Sequence, residues 1–573
     1  MKIDSLIPLA ARVQNVRAYA KGGGARLTDL RLDKNEGVAP PLSIEVNGDL
    51  LDSRLLNQYP NDSALRNEIA AEFQLAADEV IVTAGADDAL DRVCRILVEA
   101  GRNVVLPTPT FEMIERYVAL AEGRAKRVPW KEGAFPVAQV LAAVDADTAA
   151  IFVVSPNNPT GLTATLEDLQ ELSCGAPKCA LILDLAYAEF GESLPAELFQ
   201  IPNLIITRTF SKAWGLAGLR VGIALAPKPL ADAMSAAAGP YPVSALSLEI
   251  ARRQWLNQRE GMEKQVQQTS DIRNELESIL DGFNLRPQPS LANFVLCRPD
   301  NPQWIYDGLA GMGIAVRSFQ GVAELEGCLR FGCPESRADL ARLEAALSTV
   351  VKPEAMLFDM DGVLADVSQS FRIAIRETCA EYGVAVDASQ IEALKLAGGF
   401  NNDWVVTQEL LRQNGKSVSL AIIREVFDRI YLGEPIGTGL CATEKLLIDK
   451  SKLEALARKF PLAVVTGRPR ADAQMFLRSF NLSETFSTII AMEDAESKPN
   501  PAPVRKALEQ LNINRAWMIG DSVDDIRAAR SAGVLPIGVL APGSNPTRQS
   551  SALLQAGAAR VLDQTEALME LLS

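Results

Sequence analysis

"TRTFSKAWGLAGLRVG", Thr207 to Gly222, sets a lysine between a serine and an Ala-Trp-Gly-Leu-Ala-Gly run, with Arg220 eight residues further on. A solvated lysine needs no such company. The stretch follows the apolar run "NLIIT" (203–207), so Lys212 falls just past a strand, where the functional loops of an open α/β sheet gather. Similar β-branched runs lie upstream: "EVIVTAG" (79–85), "NVVLPTP" (103–109), "AAIFVVSPNN" (149–158) and "CALILDLAY" (179–187). They alternate with helical stretches, which predicts βαβ units and a largely parallel sheet.

Downstream, residues 250 to 285 read as one long charged helix, followed by "ANFVLCR", "GIAVRSF" and "GCLRFGC" strands and another helix, a smaller α+β domain. The chain restarts at "VVKPEAMLFDMDGVLADV" (350–367), a Pro-punctuated joint and a new buried strand, and βα alternation resumes. A length of 573 residues agrees with several cores. The net charge of −15 disfavours nucleic acid or an anionic membrane as partner. No apolar run reaches the roughly 20 residues that span a bilayer, and the first residues lack a signal-peptide core, so a cytoplasmic protein is expected. The eight cysteines form no C-x-x-C pair and there is no histidine, so a zinc site is not expected and the thiols read as reduced and mostly buried. Any acid–base chemistry runs without imidazole.

Four features of the first 350 residues suit pyridoxal phosphate. Lys212 is placed to form a Schiff base, and Asp184, ending "LILD", to pair with a pyridinium nitrogen. Asn158 in "SPNNPTG" and Tyr187 are placed to hydrogen-bond the ring oxygen. "TAGADDAL" ends a strand and opens a helix, so the backbone N–H groups of Ala86 and Asp87 are offered to a phosphate, joined by Thr209, Ser211 and the bidentate Arg220.

With "LDKNEG", "QYPND", "ANFVL" and "CLRFG" added, residues 1–350 resemble a fold-type I aminotransferase, most closely the histidinol-phosphate aminotransferases. The resemblance implies a large parallel-sheet domain (about 40–250) and a small α+β domain (about 1–39 and 251–350). It implies a homodimer in which Tyr59 reaches the neighbour's cofactor phosphate. It also implies that Arg330 binds in turn the carboxylate of glutamate and the phosphate of the substrate, helped by Arg317, Asn35 and Tyr19. Phe111 stands where the family often has a tyrosine over the ring, and Leu185 replaces an acidic residue.

The second constellation begins at "MLFDMDG", where Asp359 and Asp361 follow a buried run. Paired carboxylates at a strand's end suggest Mg²⁺, one attacking phosphorus while the other exchanges a proton. "LAVVTGRP" adds Thr466 and Gly467, "ESKPNP" adds Lys498, and "MIGDSVDD" adds Asp521 and Asp525. Together these resemble the haloacid dehalogenase superfamily: a Rossmann-like core (351–366 and 446–573) with a helical cap (about 367–445). The resemblance implies Asp359 as nucleophile, Asp361 as general acid/base, and Thr466 and Lys498 on the phosphoryl oxygens. Asp359, Asp521, Asp525 and the Asp361 carbonyl would surround the metal.

A transaminase that makes a phosphorylated amino alcohol, joined to a phosphatase, suggests consecutive steps of histidine biosynthesis. Small molecules are then the only partners besides a second copy. A threonine-phosphate decarboxylase-like or aromatic aminotransferase, joined to a general small-phosphate phosphatase, stays open as the alternative.

Overall fold

A computed structural model describes residues 27–36, 38, 53–191, 195–400 and 402–572. Tyr19 lies outside the described residues. These residues form two compact units: Leu32–Asp300 with Arg317–Leu340, and 27–31 with Asn301–Val316 and 341–572.

The first unit is built on a seven-stranded sheet in the order Val80–Thr83, Gly222–Leu225, Leu204–Thr209, Ala180–Asp184, Thr148–Val154, Asn103–Thr108, Arg124–Pro129. All neighbours are parallel except Gly222–Leu225, which runs antiparallel to both strands beside it. The strands read as unbroken apolar runs because both faces are buried: Val80 and Val82 join one core cluster, Ile81 the other. A three-stranded antiparallel sheet, Arg317–Ser318, Leu329–Gly332 and Phe294–Cys297, carries Arg317 opposite Arg330.

Two expectations are corrected. The long helix is two, Ala245–Asn257 and Arg259–Gly282, because Gln258 leaves helical geometry at φ −122°, ψ 19°. "GIAVRSF" is not one strand. Ile314–Ala315 pairs in parallel with Leu30–Arg31, whereas Arg317–Ser318 pairs antiparallel with Leu329–Arg330, so the strand breaks where its partner changes.

The second unit holds a six-stranded parallel sheet in the order Thr488–Ile490, Leu462–Val465, Ala355–Phe358, Ala516–Gly520, Leu535–Val539, Arg560–Leu562. Three adjacent strands end in chemistry: Leu462–Val465 at Thr466, Ala355–Phe358 at Asp359 and Ala516–Gly520 at Asp521. Between the first and second of these in sequence come the helices Phe371–Glu381, Ala388–Ala397, Asp403–Gln413 and Leu420–Leu432. They bury their own apolar cluster, including Ile375, Trp404, Phe427 and Tyr431. The helix Pro302–Gly311 also belongs to this unit, where Trp304 packs edge-on against Trp517 at 5.0 Å and Asp307 pairs with Arg560 at 2.8 Å.

Candidate active sites

In the first unit, Lys212 projects from the loop after Leu204–Thr209, and its Nζ donates to the backbone oxygen of Asn35 at 3.0 Å and lies 5.5 Å from the centre of the Tyr187 ring. Asp184 is buried at the end of the neighbouring strand, accepting from Thr207 Oγ1 at 3.0 Å and the Ala186 N–H at 3.2 Å. Burial pushes its carboxyl up to about 6, against the pull of the Thr207 hydroxyl. Tyr187 is buried and accepts at its hydroxyl from Asn35 Nδ2 at 3.4 Å. Arg330 donates to Asn158 Oδ1 at 2.5 Å and to the Asp33 carbonyl at 3.0 Å. Lys212, Asn35 and Tyr187 thus form one contact group and Arg330, Asn158 and Asp33 another, and the Phe294 ring links them, edge-on to Tyr187 at 5.2 Å and under the Arg330 guanidinium at 5.1 Å.

The residues expected at the cofactor phosphate are equally local. Gly85 has φ +83° and opens the helix Ala86–Leu97. A Cβ on Gly222 would lie 2.5 Å from the Gly85 carbonyl carbon and 2.7 Å from the Ala86 nitrogen, so glycine lets the opposing strand reach this turn. Thr209 Oγ1 donates to Ser211 Oγ at 2.9 Å, and Arg220 reaches Ser211 Oγ at 3.4 Å and Asp87 Oδ2 at 3.0 Å. Hydroxyls, guanidinium and helix N-terminus therefore meet, as their sequence order predicts.

Other residues stand further out. Arg317 lies 3.8 Å from Glu112 and 6.0 Å from the Phe319 ring centre, while Phe111 packs partly buried against a core cluster. Tyr59 is 80% exposed and stacks on Tyr241 with ring centres 4.4 Å apart.

The donor set fits pyridoxal phosphate. An anion cradle, a buried carboxylate and a lysine are all present, and Asn35 Oδ1 is buried with no hydrogen-bond partner among the described residues.

In the second unit, charges hold one another. Lys498 Nζ is 2.8 Å from Asp359 Oδ1 and 2.5 Å from Asp525 Oδ1, and it donates to the Val465 carbonyl at 3.0 Å. Burial, and then the Asp525 carboxylate, push the Asp359 carboxyl up; Asp521 is driven well above its usual range by burial and the same neighbour. Burial opposes the Lys498 charge, but Asp359 and Asp525 outweigh it and hold the ammonium above its ordinary range. Carboxylate oxygens of Asp359, Asp521 and Asp525 lie within 4.8 Å of one another, a hard-oxygen set that a divalent cation would relieve. At Gly362, φ +74°, a Cβ would come 2.5 Å from Asp521 Oδ2, so glycine keeps the Asp359–Asp361 loop against this cluster.

Thr466 is buried beside the cluster and its Oγ1 accepts from the Arg468 N–H at 3.1 Å; Gly467 lies between them. Arg468, Glu444 and Tyr431 were not among the candidates from sequence. The Arg468 guanidinium donates to Asp361 Oδ1 at 2.6 Å, to Glu444 Oε2 at 3.0 Å and to the Tyr431 hydroxyl at 3.1 Å. The available signal was the arginine two residues after Thr466 in "TGRP".

The fold and sites together define a transaminase scaffold followed by a phosphoryl-transfer scaffold. Residues 29–347 match the profile of aminotransferase class I and II, and the chain belongs to that family; residues 356–539 match that of haloacid dehalogenase-like hydrolases. Among curated proteins, the chain is 34% identical over 327 residues to a histidinol-phosphate aminotransferase of Dehalococcoides mccartyi (strain CBDB1), spanning 55% of this chain and 88% of that one. It is 43% identical over 224 residues to an imidazoleglycerol-phosphate dehydratase of Phytophthora nicotianae, 37% of this chain and 49% of that protein. Among solved structures it resembles the histidinol-phosphate aminotransferase of Sinorhizobium meliloti in complex with pyridoxal-5'-phosphate, at 25% identity and TM-score 0.54, covering 60% and 98% of the two chains. The Thermus thermophilus aspartate aminotransferase with maleate, 22% identical with TM-score 0.51 and covering 60% and 100% of the two chains, shares the fold.

Proposed function

We propose that this chain is a bifunctional enzyme of histidine biosynthesis. It transaminates imidazole acetol phosphate with glutamate to give histidinol phosphate, and then removes the phosphate to give histidinol. The observation that carries the reading is that two complete constellations, Lys212 with Asp184 and Arg330, and Asp359 with Lys498, Asp521 and Asp525, are assembled in one chain. Relatives named for histidinol-phosphate aminotransferase and imidazoleglycerol-phosphate dehydratase favour the imidazole substrates.

Bound pyridoxal phosphate supplies the electron sink for chemistry at the substrate α-carbon. The chain supplies the rest. Lys212 takes a proton from that carbon and returns one, Asp184 keeps the ring nitrogen protonated, and Asn158 and Tyr187 hold the ring oxygen. The Ala86 and Asp87 N–H groups, Thr209, Ser211 and Arg220 bind the cofactor phosphate. Arg330 holds the carboxylate of glutamate and then the phosphate of the oxo substrate, helped by Arg317 and Asn35 and, from outside the described residues, by Tyr19. The exposed Tyr59 ring is available to a second copy, so a homodimer belongs to this reading.

At the second site Asp359 attacks phosphorus and forms an aspartyl phosphate. Asp361 gives a proton to the departing alcohol and takes one from the water that releases phosphate. Thr466 and Lys498 hold the phosphoryl oxygens, and Lys498 offsets the repulsion between nucleophile and substrate. Mg²⁺ would be held by Asp359, Asp521, Asp525 and the Asp361 carbonyl, and would add positive charge beside the phosphoryl group. The motifs divide the chain at about 350, with the four-helix insertion as the cap. Among the described residues no helix is long and apolar enough to cross a membrane, and a cytoplasmic location is part of the same reading.

The test is to give the purified chain imidazole acetol phosphate, glutamate and Mg²⁺ and follow histidinol phosphate, histidinol and free phosphate by mass spectrometry and a phosphate assay. Histidinol with matching phosphate supports both steps. Accumulation of histidinol phosphate would leave the second site needing another substrate, and absence of any amino product would overturn the first step.

A further inference from the structure

Arg468 is 1% exposed at its side chain, and its guanidinium is divided between two acidic residues. Nε and Nη2 meet Asp361 Oδ1 at 2.6 and 2.5 Å, while Nη1 and Nη2 meet Glu444 Oε2 and Oε1 at 3.0 and 3.2 Å. The guanidinium carbon lies over two aromatic rings, 4.8 Å from the centre of Phe371 and 5.5 Å from that of Phe476. Glu444 is itself fixed: Ser370 Oγ donates to it at 2.8 Å and the Tyr431 hydroxyl at 3.1 Å.

The partners of this arginine come from both parts of the second unit. Asp361 and Phe476 belong to the sheet-based core. Phe371 and Tyr431 stand on two helices of the four-helix insertion, stacked on each other at 4.4 Å, and Glu444 stands where the chain returns from that insertion to the core. Arg468 is fixed on the core side by its own backbone bond to Thr466. A rigid fork, filled on both prongs and packed over two rings, leaves the Asp361 carboxyl little freedom while the insertion is in place.

We propose that Arg468 is a positioning residue for Asp361, and that through Glu444 and Tyr431 it ties the aim of that carboxyl to the placement of the helical insertion. The proposal rests on the reading of Asp361 as the group that protonates the leaving alcohol. An acid held off line by an ångström loses on the order of a hundredfold, and the loss falls on leaving groups that need a proton. Alkyl phosphates depart as poorly stabilised alkoxides and need it; p-nitrophenyl phosphate departs as a stable phenolate and does not.

The experiment compares kcat/KM, which reports steps up to aspartyl-phosphate formation, for two alkyl phosphates (histidinol phosphate and glycerol 2-phosphate) and for p-nitrophenyl phosphate. Wild type, Arg468→Lys, Glu444→Gln and Asp361→Asn are assayed in Mg²⁺. Lysine keeps the charge but cannot fill both prongs. Arg468→Lys is expected to lose about tenfold or more on the alkyl esters and to stay within about twofold on the aryl ester. Glu444→Gln should show the same selectivity at smaller size, and it carries the comparison if Arg468→Lys does not fold. Asp361→Asn should discriminate most.

Equal losses on alkyl and aryl esters in both Arg468→Lys and Glu444→Gln, with Asp361→Asn still selective, would overturn the role of Arg468 alone. A non-selective Asp361→Asn would overturn the acid reading itself and the proposal with it.

Discussion

The two sites handle charge in opposite ways. Around Lys212 the ionisable groups are dispersed: Lys212 rests on a backbone carbonyl, Asp184 on a threonine hydroxyl, and Arg220 on the half-exposed Asp87. Around Asp359 they are crowded, with three carboxylates and one ammonium in mutual contact or close to it. A dispersed set is a cradle whose chemistry comes from an organic cofactor. A crowded one suits the proposed nucleophile Asp359, its charge balanced in part by Lys498 and open to a divalent cation. The two should therefore fail independently.

The sharpest break is a pair of substitutions. Lys212→Ala should remove at least about a thousandfold of the transaminase rate and leave phosphate release from histidinol phosphate unchanged. Asp359→Asn should do the reverse, so that histidinol phosphate accumulates in the coupled assay. Loss of both activities in either variant would erase the contrast.

Removing divalent ions comes next. Chelation should lower phosphatase turnover by about a hundredfold, with recovery on adding Mg²⁺, while transamination continues. The crowded carboxylates predict this because burial and mutual repulsion already push Asp359 and Asp521 up. A phosphatase indifferent to chelator would separate the Asp359, Asp521 and Asp525 cluster from metal binding.

The dispersed site makes its own prediction through Asp184. Its folded-state carboxyl is raised from 3.8 to about 6, so the folded protein without cofactor is favoured below about pH 4 and loses stability as pH rises through 6. The full cost above pH 6 is about 3 kcal/mol. Cofactor-free Asp184→Asn should lack this slope and unfold later than wild type at pH 8, yet transaminate about a hundredfold more slowly. Denaturant melts at pH 4, 6 and 8 test the sign. A wild type whose stability rises over that range would contradict it.

Much of both sites was legible because the chemistry sits at strand ends. Asp184, Thr466, Asp359 and Asp521 each follow or close a buried run, and a parallel sheet places such ends side by side. Thr209 closes its strand, and Ser211, Lys212 and Arg220 follow in the next eleven residues, so sequence order already approximates geometry. Arg468 was less legible. Its partners Asp361, Glu444 and Tyr431 lie 107, 24 and 37 residues away, and its importance depends on how the helical insertion returns to the core. The split of "GIAVRSF" was hidden for the same reason, because a strand's partner is set by tertiary pairing and not by its own β-branched residues.

The smallest effect tests how a dispersed site holds its cofactor. The side chains of Arg220 and Asp87 are 51% and 43% exposed, so their ion pair contributes about 0–1 kcal/mol, and Arg220→Lys should leave thermal stability nearly unchanged. A guanidinium can contact Ser211 and a phosphate in one plane, whereas an ammonium offers a point charge. Arg220→Lys should therefore weaken pyridoxal phosphate binding by about tenfold, read as Kd from an absorbance titration of the cofactor-free protein, with phosphatase activity unaffected. If the Kd does not move, the cofactor phosphate is carried by the Ala86 and Asp87 N–H groups and the two hydroxyls, and the contrast sharpens: the first site would hold its anion with neutral dipoles alone, while the second keeps a buried lysine against both Asp359 and Asp525.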